Sequence, residues 1–167
     1  MIELRADIWE IYAAGQVVCI TTNGFVKKNG EAVMGRGVAY QAARRWPDLP
    51  ARLGHLIRAN GNVVQVIRER LVAFPVKPVS GVSTGTNVVR HMRSRFPSGS
   101  WVPGWAMVAD LDIIARSLRQ LAQLRQAEGW ERVYLPRPGC GAGEVNWESQ
   151  VKPLCERFGN WLIVVTR

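Results

Sequence analysis

The chain has 167 residues, 47% hydrophobic and 21% charged, which supports a well-packed core and excludes a disordered chain. Basic residues outnumber acidic ones by 22 to 13, a formal net charge of +9 that suits a polyanionic partner as well as plain solubility. No apolar run approaches the roughly 20 residues of a membrane span, and the acids in the first ten residues do not make a secretory leader, so a cytoplasmic protein is expected.

In chain order, residues 3–9 read as a short first strand. Val17 to Thr22 (VVCITT) is a compact β-branched run and reads as a buried strand. It leads into Asn23-Gly24, a polar insert over residues 25–32, and then Met34-Gly35-Arg36-Gly37. Residues 38–46 look helical and stop at Pro47; Asp48 is placed to cap a second helix whose Leu49, Leu53, Leu56 and Ile57 share a face, ending at Gly61-Asn62. Residues 63–67 and 71–74 are strand candidates. Residues 75–104, with four prolines, are the least regular part, and a loop of that length is usually functional or mobile.

Asp110 opens the longest helix, with Leu111, Ile114, Leu118 and Leu121 as its buried stripe and Arg116, Arg119, Gln120 and Gln123 facing water. Residues 132–135 form a strand that runs into LPRPGCGAGEVNW. Asn146 caps a last helix with Trp147, Val151, Leu154 and Phe158 on one face, and residues 161–166 close the chain as a strand. The expectation is one α/β domain over residues 1–167, a mixed sheet with helices on both faces.

Two loops share the order strand, glycine cluster, helix: residues 23–37 and residues 136–143. In open α/β sheets ligands sit beyond the C-terminal ends of the strands, where helix N-termini offer unpaired N–H groups and a partial positive charge. Glycine lets such a backbone approach a phosphate closely. Neither loop matches GxxxxGK[ST] or GxGxxG, and glycines of this kind also serve simple tight turns. Three cysteines, Cys19, Cys140 and Cys155, make no CxxC pair, and two histidines are too few for a His-based metal site; reduced thiols and no metal or cofactor are expected.

Together these stretches resemble the macrodomain family of ADP-ribose-binding modules, over most of the chain. Ala6-Asp7-Ile8 is similar to the family's early Gly-Asp-Ile element. VVCITTNG with VMGRGVA resembles its first ligand loop, and LPRPGCGAGEVNW the second. Phe74-Pro75-Val76-Lys77 resembles a strand end of the branch that holds terminal ADP-ribose glycohydrolases and the antitoxins that remove ADP-ribose from DNA.

The resemblance implies a three-layer α/β/α macrodomain with a central mixed sheet. It implies that Asp7 and Ile8 read the adenine, and that Thr22, Asn23, Gly24, Met34, Gly35, Gly37 and Val38 line the distal ribose and diphosphate. Pro138, Gly139, Cys140, Gly141, Ala142, Gly143 and Glu144 would wrap the other side, and Lys77 would act at the anomeric carbon. Read from the residues alone, Asp7 is equally an ordinary cap and Asn23 a turn residue. Cys140, between glycines and without a nearby base, is expected to be there for its size. The branch can carry an aspartate in the second loop that releases a lysine adduct; this chain has Ala142-Gly143-Glu144 there.

Arg90, His91, Arg93 and Arg95, followed by Phe96 and Trp101, suit a contact with DNA or RNA or else a solvated face. The expected activity is mono-ADP-ribose removal from DNA or protein by a monomer with no membrane partner. The alternatives are a non-catalytic ADP-ribose reader, a basic nucleic-acid-binding module, and an enzyme acting on ADP-ribose 1″-phosphate.

Overall fold

The VVCITT run is strand β2 (Val17–Thr22), at the centre of the sheet in a computed structural model that describes all 167 residues. Its residues alternate between two buried faces. Val18 and Ile20 enter one core, Val17 and Cys19 the other, so Val17 to Ile20 is apolar at every residue rather than every second one. The other strands of this sheet are β1 (Ile2–Arg5), β3 (Gln65–Arg68), β4 (Leu71–Pro75), β7 (Val133–Pro136) and β8 (Leu162–Thr166), in the order β1-β8-β7-β2-β4-β3. All neighbours are parallel except β3, which is antiparallel to β4 at the edge.

Helices α1 (Ile8–Ala13), α2 (Gly37–Arg45) and α3 (Leu49–Asn60) supply Ile8, Trp9, Ala39, Ala42, Leu49 and Leu53 to the first core. Helix α4 (Leu111–Glu128) covers the opposite face with Ile114, Leu118 and Leu121, beside Trp147, Val151 and Cys155 of the segment that ends in α5 (Lys152–Cys155). The result is a three-layer α/β/α structure around a mixed sheet. No helix is long and apolar enough to cross a membrane.

Several expectations need correction. The first strand stops at Arg5, because the Asp7 carboxylate accepts a hydrogen bond from Trp9 N–H at 2.8 Å and opens α1 instead. Asp48 precedes α3 without a side-chain capping bond. Asn146 does cap, accepting from Ser149 N–H at 2.9 Å, but the turn that follows (Trp147–Val151) is a π-helical one. Pro153 has no N–H for the carbonyl four residues back, so the regular ladder is already broken there. On α4, Arg116 donates to Asn62 O at 2.8 Å and Gln120 accepts from Val64 N–H at 3.0 Å, so these two brace the β3 side rather than facing water.

Residues 75–104 are irregular but tied down. Strands β5 (Ser80–Val82) and β6 (Trp101–Pro103) pair antiparallel, and Val88, Val102, Ala106 and Met107 form a small separate core. The insert over residues 25–32 is anchored on α3: Ala32 N–H donates to Pro50 O at 2.9 Å, and the Arg58 guanidinium donates to Lys27 O at 3.1 Å. A Cβ on Gly54 would lie 1.9 Å from the Gly30 carbonyl oxygen. Gly54→Ala is therefore expected to destabilise the protein by about 3 kcal/mol, seen as a lowered urea midpoint with little change in slope. A neutral result would mean that the insert is not pinned there.

Candidate functional site

The C-terminal ends of the parallel strands gather on one side of the sheet, and the loops that follow them build the site. Asp7 follows β1, Asn23 follows β2, Lys77 lies two residues past β4, and the second glycine loop follows β7. The ladder continues past β4, because Val76 N–H donates to Thr22 O at 2.9 Å. Val76 O in turn accepts from Asp110 N–H at 2.9 Å, which fixes the α4 entrance beside Lys77.

Two cavities meet here. One, of about 310 Å³, has Lys77, Thr22, Asn23 and both glycine loops in its wall. The other, of about 530 Å³, has Asp7, Ile8 and Trp9. Gly37 and Val38, at the start of α2, line both. A third opening, lined by Gly35, Arg36, His91, Ala142 and Glu144, is the mouth above the Lys77 cavity.

The glycines divide into two kinds. Gly139 has φ +76, and a Cβ there would meet Ala109, Val145 and Ile114 within 3.0 Å; a Cβ on Gly143 would meet the Gly139 carbonyl oxygen at 2.5 Å. These two make the turn and pack it. Around Gly35, Gly37 and Gly141, by contrast, a Cβ would meet nothing within 4 Å, so these glycines border open space. The N–H groups of Gly37, Val38 and Ala39 have no acceptor, since Arg36 offers no side-chain cap, and neither do those of Gly141, Ala142 and Gly143. Two sets of free donors thus border one cavity, one of them at a helix N-terminus with its partial positive charge.

Lys77 is buried, with 7% of its surface exposed. Its Nζ donates to two backbone carbonyls, Trp105 O at 3.2 Å and Ala142 O at 3.4 Å, and makes no ion pair. Burial lowers its pKa to about 8; Glu144 opposes the shift and Arg36 adds to it. The Lys77 carbonyl accepts from the Asn62 amide at 3.0 Å, and Asn62 itself packs against Gly24, where a Cβ would lie 2.4 Å from its side chain.

Glu144 is exposed, with φ +62, and its carboxylate accepts from Arg90 N–H at 2.9 Å rather than from Lys77. Arg36 reaches His91 Nε2 at 3.1 Å. A guanidinium has no lone pair, so the imidazole must be the acceptor. These two contacts bring the basic segment to the mouth. Within that segment, Arg93 donates to Val88 O at 3.1 Å and Arg95 lies over Phe96 and Trp105.

The structure therefore places Thr22, Asn23, Met34, Gly35, Gly37, Val38, Lys77, Gly139, Gly141, Ala142 and Gly143 around one cavity, with Asp7 and Ile8 around the adjoining one. Gly24, Pro138 and Cys140 line neither, and Glu144 borders only the mouth. Asn23 spends its side chain bracing the first loop, donating to Val33 O at 3.0 Å and accepting from Phe25 N–H at 2.9 Å. The Cys140 N–H is taken by Arg137 O, and burial pushes the thiol up to about 11, which leaves it unreactive. Sequence reading passed over Arg36, Asn62, Trp105 and Arg137. Only Arg36 carried a local signal, sitting between the glycines of the first loop.

No protein-family model matches this sequence, and no curated protein matches it. Solved structures do match in fold. The macrodomain of Mycobacterium tuberculosis DarG superposes with a TM-score of 0.62 at 18% identity, covering 90% of this chain and 88% of that one. The macrodomain of Thermus aquaticus DarG gives 0.62 at 18% identity, over 99% and 97%. Thermosipho africanus DarTG in complex with ADP-ribose gives 0.59 at 16% identity, over 90% of this chain and 38% of that one. The fold is that of a macrodomain.

A buried ammonium with only carbonyl partners opposes folding. The folded pKa lies below the unfolded value, so the folded state binds fewer protons between about pH 8 and 10.5, and stability rises with pH across that window. Lys77→Met is expected to stabilise the protein by about 1–3 kcal/mol at pH 7. That gain shrinks as the pH is raised through the same window, as thermal melts at several pH values would record. A variant less stable than the parent at pH 7 would contradict this account of the site.

Proposed function

We propose that this macrodomain binds ADP-ribose and hydrolyses it from a modified macromolecule, with Lys77 acting at the distal ribose. The observation that carries the reading is a buried lysine, met only by backbone carbonyls, in the wall of a cavity bordered by two sets of unpartnered backbone N–H groups. Free donors on both sides suit a diphosphate. The adenosine then extends past Gly37 and Val38 into the cavity of Asp7, whose second carboxylate oxygen remains available for the adenine amino group. The distal ribose lies over Lys77. One structure sharing this fold is a complex with ADP-ribose, which supports the choice of ligand.

A lysine lowered to about 8 has an appreciable neutral fraction near physiological pH, and its lone pair can attack C1″. The N–C1″ bond forms as the bond from C1″ to the carrier breaks, and the carrier leaves with a proton. The glycosylamine so formed opens its ring as the C1″–O4″ bond breaks and O4″ takes the amine proton, and water then hydrolyses the resulting imine to ADP-ribose and the free amine. Glu144, held by Arg90 N–H, is not turned toward Lys77 to assist that last step, so the adduct should persist long enough to be trapped.

Incubation with ADP-ribose and a mild imine reductant is expected to give a single adduct on Lys77, absent in Lys77→Ala. Cleavage should rise with pH around a midpoint near 8. A rate that falls through that region would assign Lys77 to charge stabilisation instead, and binding without any turnover would leave a reader of ADP-ribose.

A nucleic acid is the carrier this surface favours. Arg90 and His91 stand at the mouth, and Trp101 is 58% exposed beside Phe25, ring centroids 6.1 Å apart, next to Val82. An exposed aromatic on a basic protein offers a stacking face for an unpaired base. An ADP-ribosylated oligonucleotide is expected to be cleaved faster than an ADP-ribosylated peptide. Trp101→Ala and higher salt should each reduce that advantage several-fold; equal rates would remove the nucleic-acid assignment.

A further inference from the structure

The cavity of Asp7 has a feature that an unmodified adenosine does not need. The face of α2 that lines it runs Gly37, Val38, Gln41, Arg44, Arg45, so the helix lies along the groove from its N-terminus to its last turn. Both arginines are exposed, and neither has a carboxylate within ion-pair distance. Arg45 is held over the Trp9 ring at 4.7 Å, and Arg44 makes only a 3.4 Å contact with the Tyr40 hydroxyl. Arg167 borders the same space. The one acidic side chain in the wall is Asp7, and one of its oxygens already accepts from Trp9 N–H. Arginines in a last turn also suit the helix dipole, but the dipole does not require them to line a cavity.

The spacing along α2 is informative. Seven residues separate Gly37 from Arg44, about 10 Å of axial rise. Helical side chains lean toward the N-terminus, so both guanidinium groups tilt back toward the diphosphate end. A nucleoside laid along this face, with its diphosphate at Gly37, brings its ribose hydroxyls between the diphosphate cradle and the two arginines. Paired guanidinium groups beside a ribose are the usual means of holding a ribose phosphate.

We infer that the Asp7 cavity holds a second anion subsite, in which Arg44 and Arg45 take a phosphate on the adenosine ribose of the ligand. The preferred substrates are then ADP-ribosyl groups phosphorylated at that ribose, as a transferase using a phosphorylated dinucleotide would produce. This inference rests on the proposed reading of the groove as an ADP-ribose site.

Calorimetric titration of the full chain with ADP-ribose and with 2′-phospho-ADP-ribose tests it, with 2′,5′-ADP and 3′,5′-ADP as competitors to show which hydroxyl bears the group. The phosphorylated ligand is expected to bind at least tenfold more tightly at low salt. The ratio of the two dissociation constants should fall toward one in an Arg44→Gln, Arg45→Gln double variant whose melting temperature is checked. Advantage for only one of the two competitors would identify the hydroxyl. If ADP-ribose binds but the parent shows no preference, or if the preference survives in a folded double variant, the subsite is wrong and the ADP-ribose reading stands. Failure of both ligands to bind overturns the two together.

Discussion

The site is organised around one costly interaction, a lysine side chain taken out of water with only backbone carbonyls for company. An ammonium in that position is poorly compensated, and the chain accepts the penalty because the surroundings hold it in place. The backbone on either side of Lys77 cannot relax outward: Val76 is the last rung of a parallel ladder with β2, and the Lys77 carbonyl is tied to Asn62. Trp105 and Ala142, which supply the two carbonyls, come from different segments of the chain. A perturbed ionisable group in a cavity is what makes Lys77 a candidate functional position.

This arrangement follows from how the sheet is buried. Helices on both faces make Val17 to Ile20 of β2 and all of β4 apolar, so polar groups emerge at the strand ends. Five parallel strands send those ends to the same side, and residues 7, 23, 77 and 136–143, distant in the chain, become neighbours. The two kinds of glycine then serve different ends. Gly139 and Gly143 let the second loop fold tightly against Ala109, whereas Gly35, Gly37 and Gly141 leave space for something outside the protein.

The parts of this structure legible in the sequence are those whose signal is local. The β-branched run of β2, the Asp110 cap of α4, the two glycine loops and the lysine after Phe74-Pro75-Val76 could be read directly. Helix α1 was missed because its cap and its buried Ile8 and Trp9 also fit an extending strand, and only tertiary packing decides between them. Asn62 was read as a helix-end residue; its bond to the Lys77 carbonyl depends on a crossing of segments 15 residues apart. The roles of Arg36, Arg44 and Arg45 depend on which face of a loop or helix the groove occupies, which no spacing reveals. Arg116 and Gln120 show the opposite error, where polar residues on an amphipathic helix were assigned to solvent although they satisfy backbone groups beside β3.

The floor and the mouth of the site differ in how firmly they are made. Lys77 is set just past the end of β4, whereas the mouth is closed by two exposed bonds, Glu144 to Arg90 N–H and Arg36 to His91, joining segments 54 and 55 residues apart. Each such bond is worth about 1 kcal/mol net, a small multiple of thermal energy. On the proposed reading, a bulky carrier would have only these two weak contacts to part, and Lys77 would stay in place beneath them.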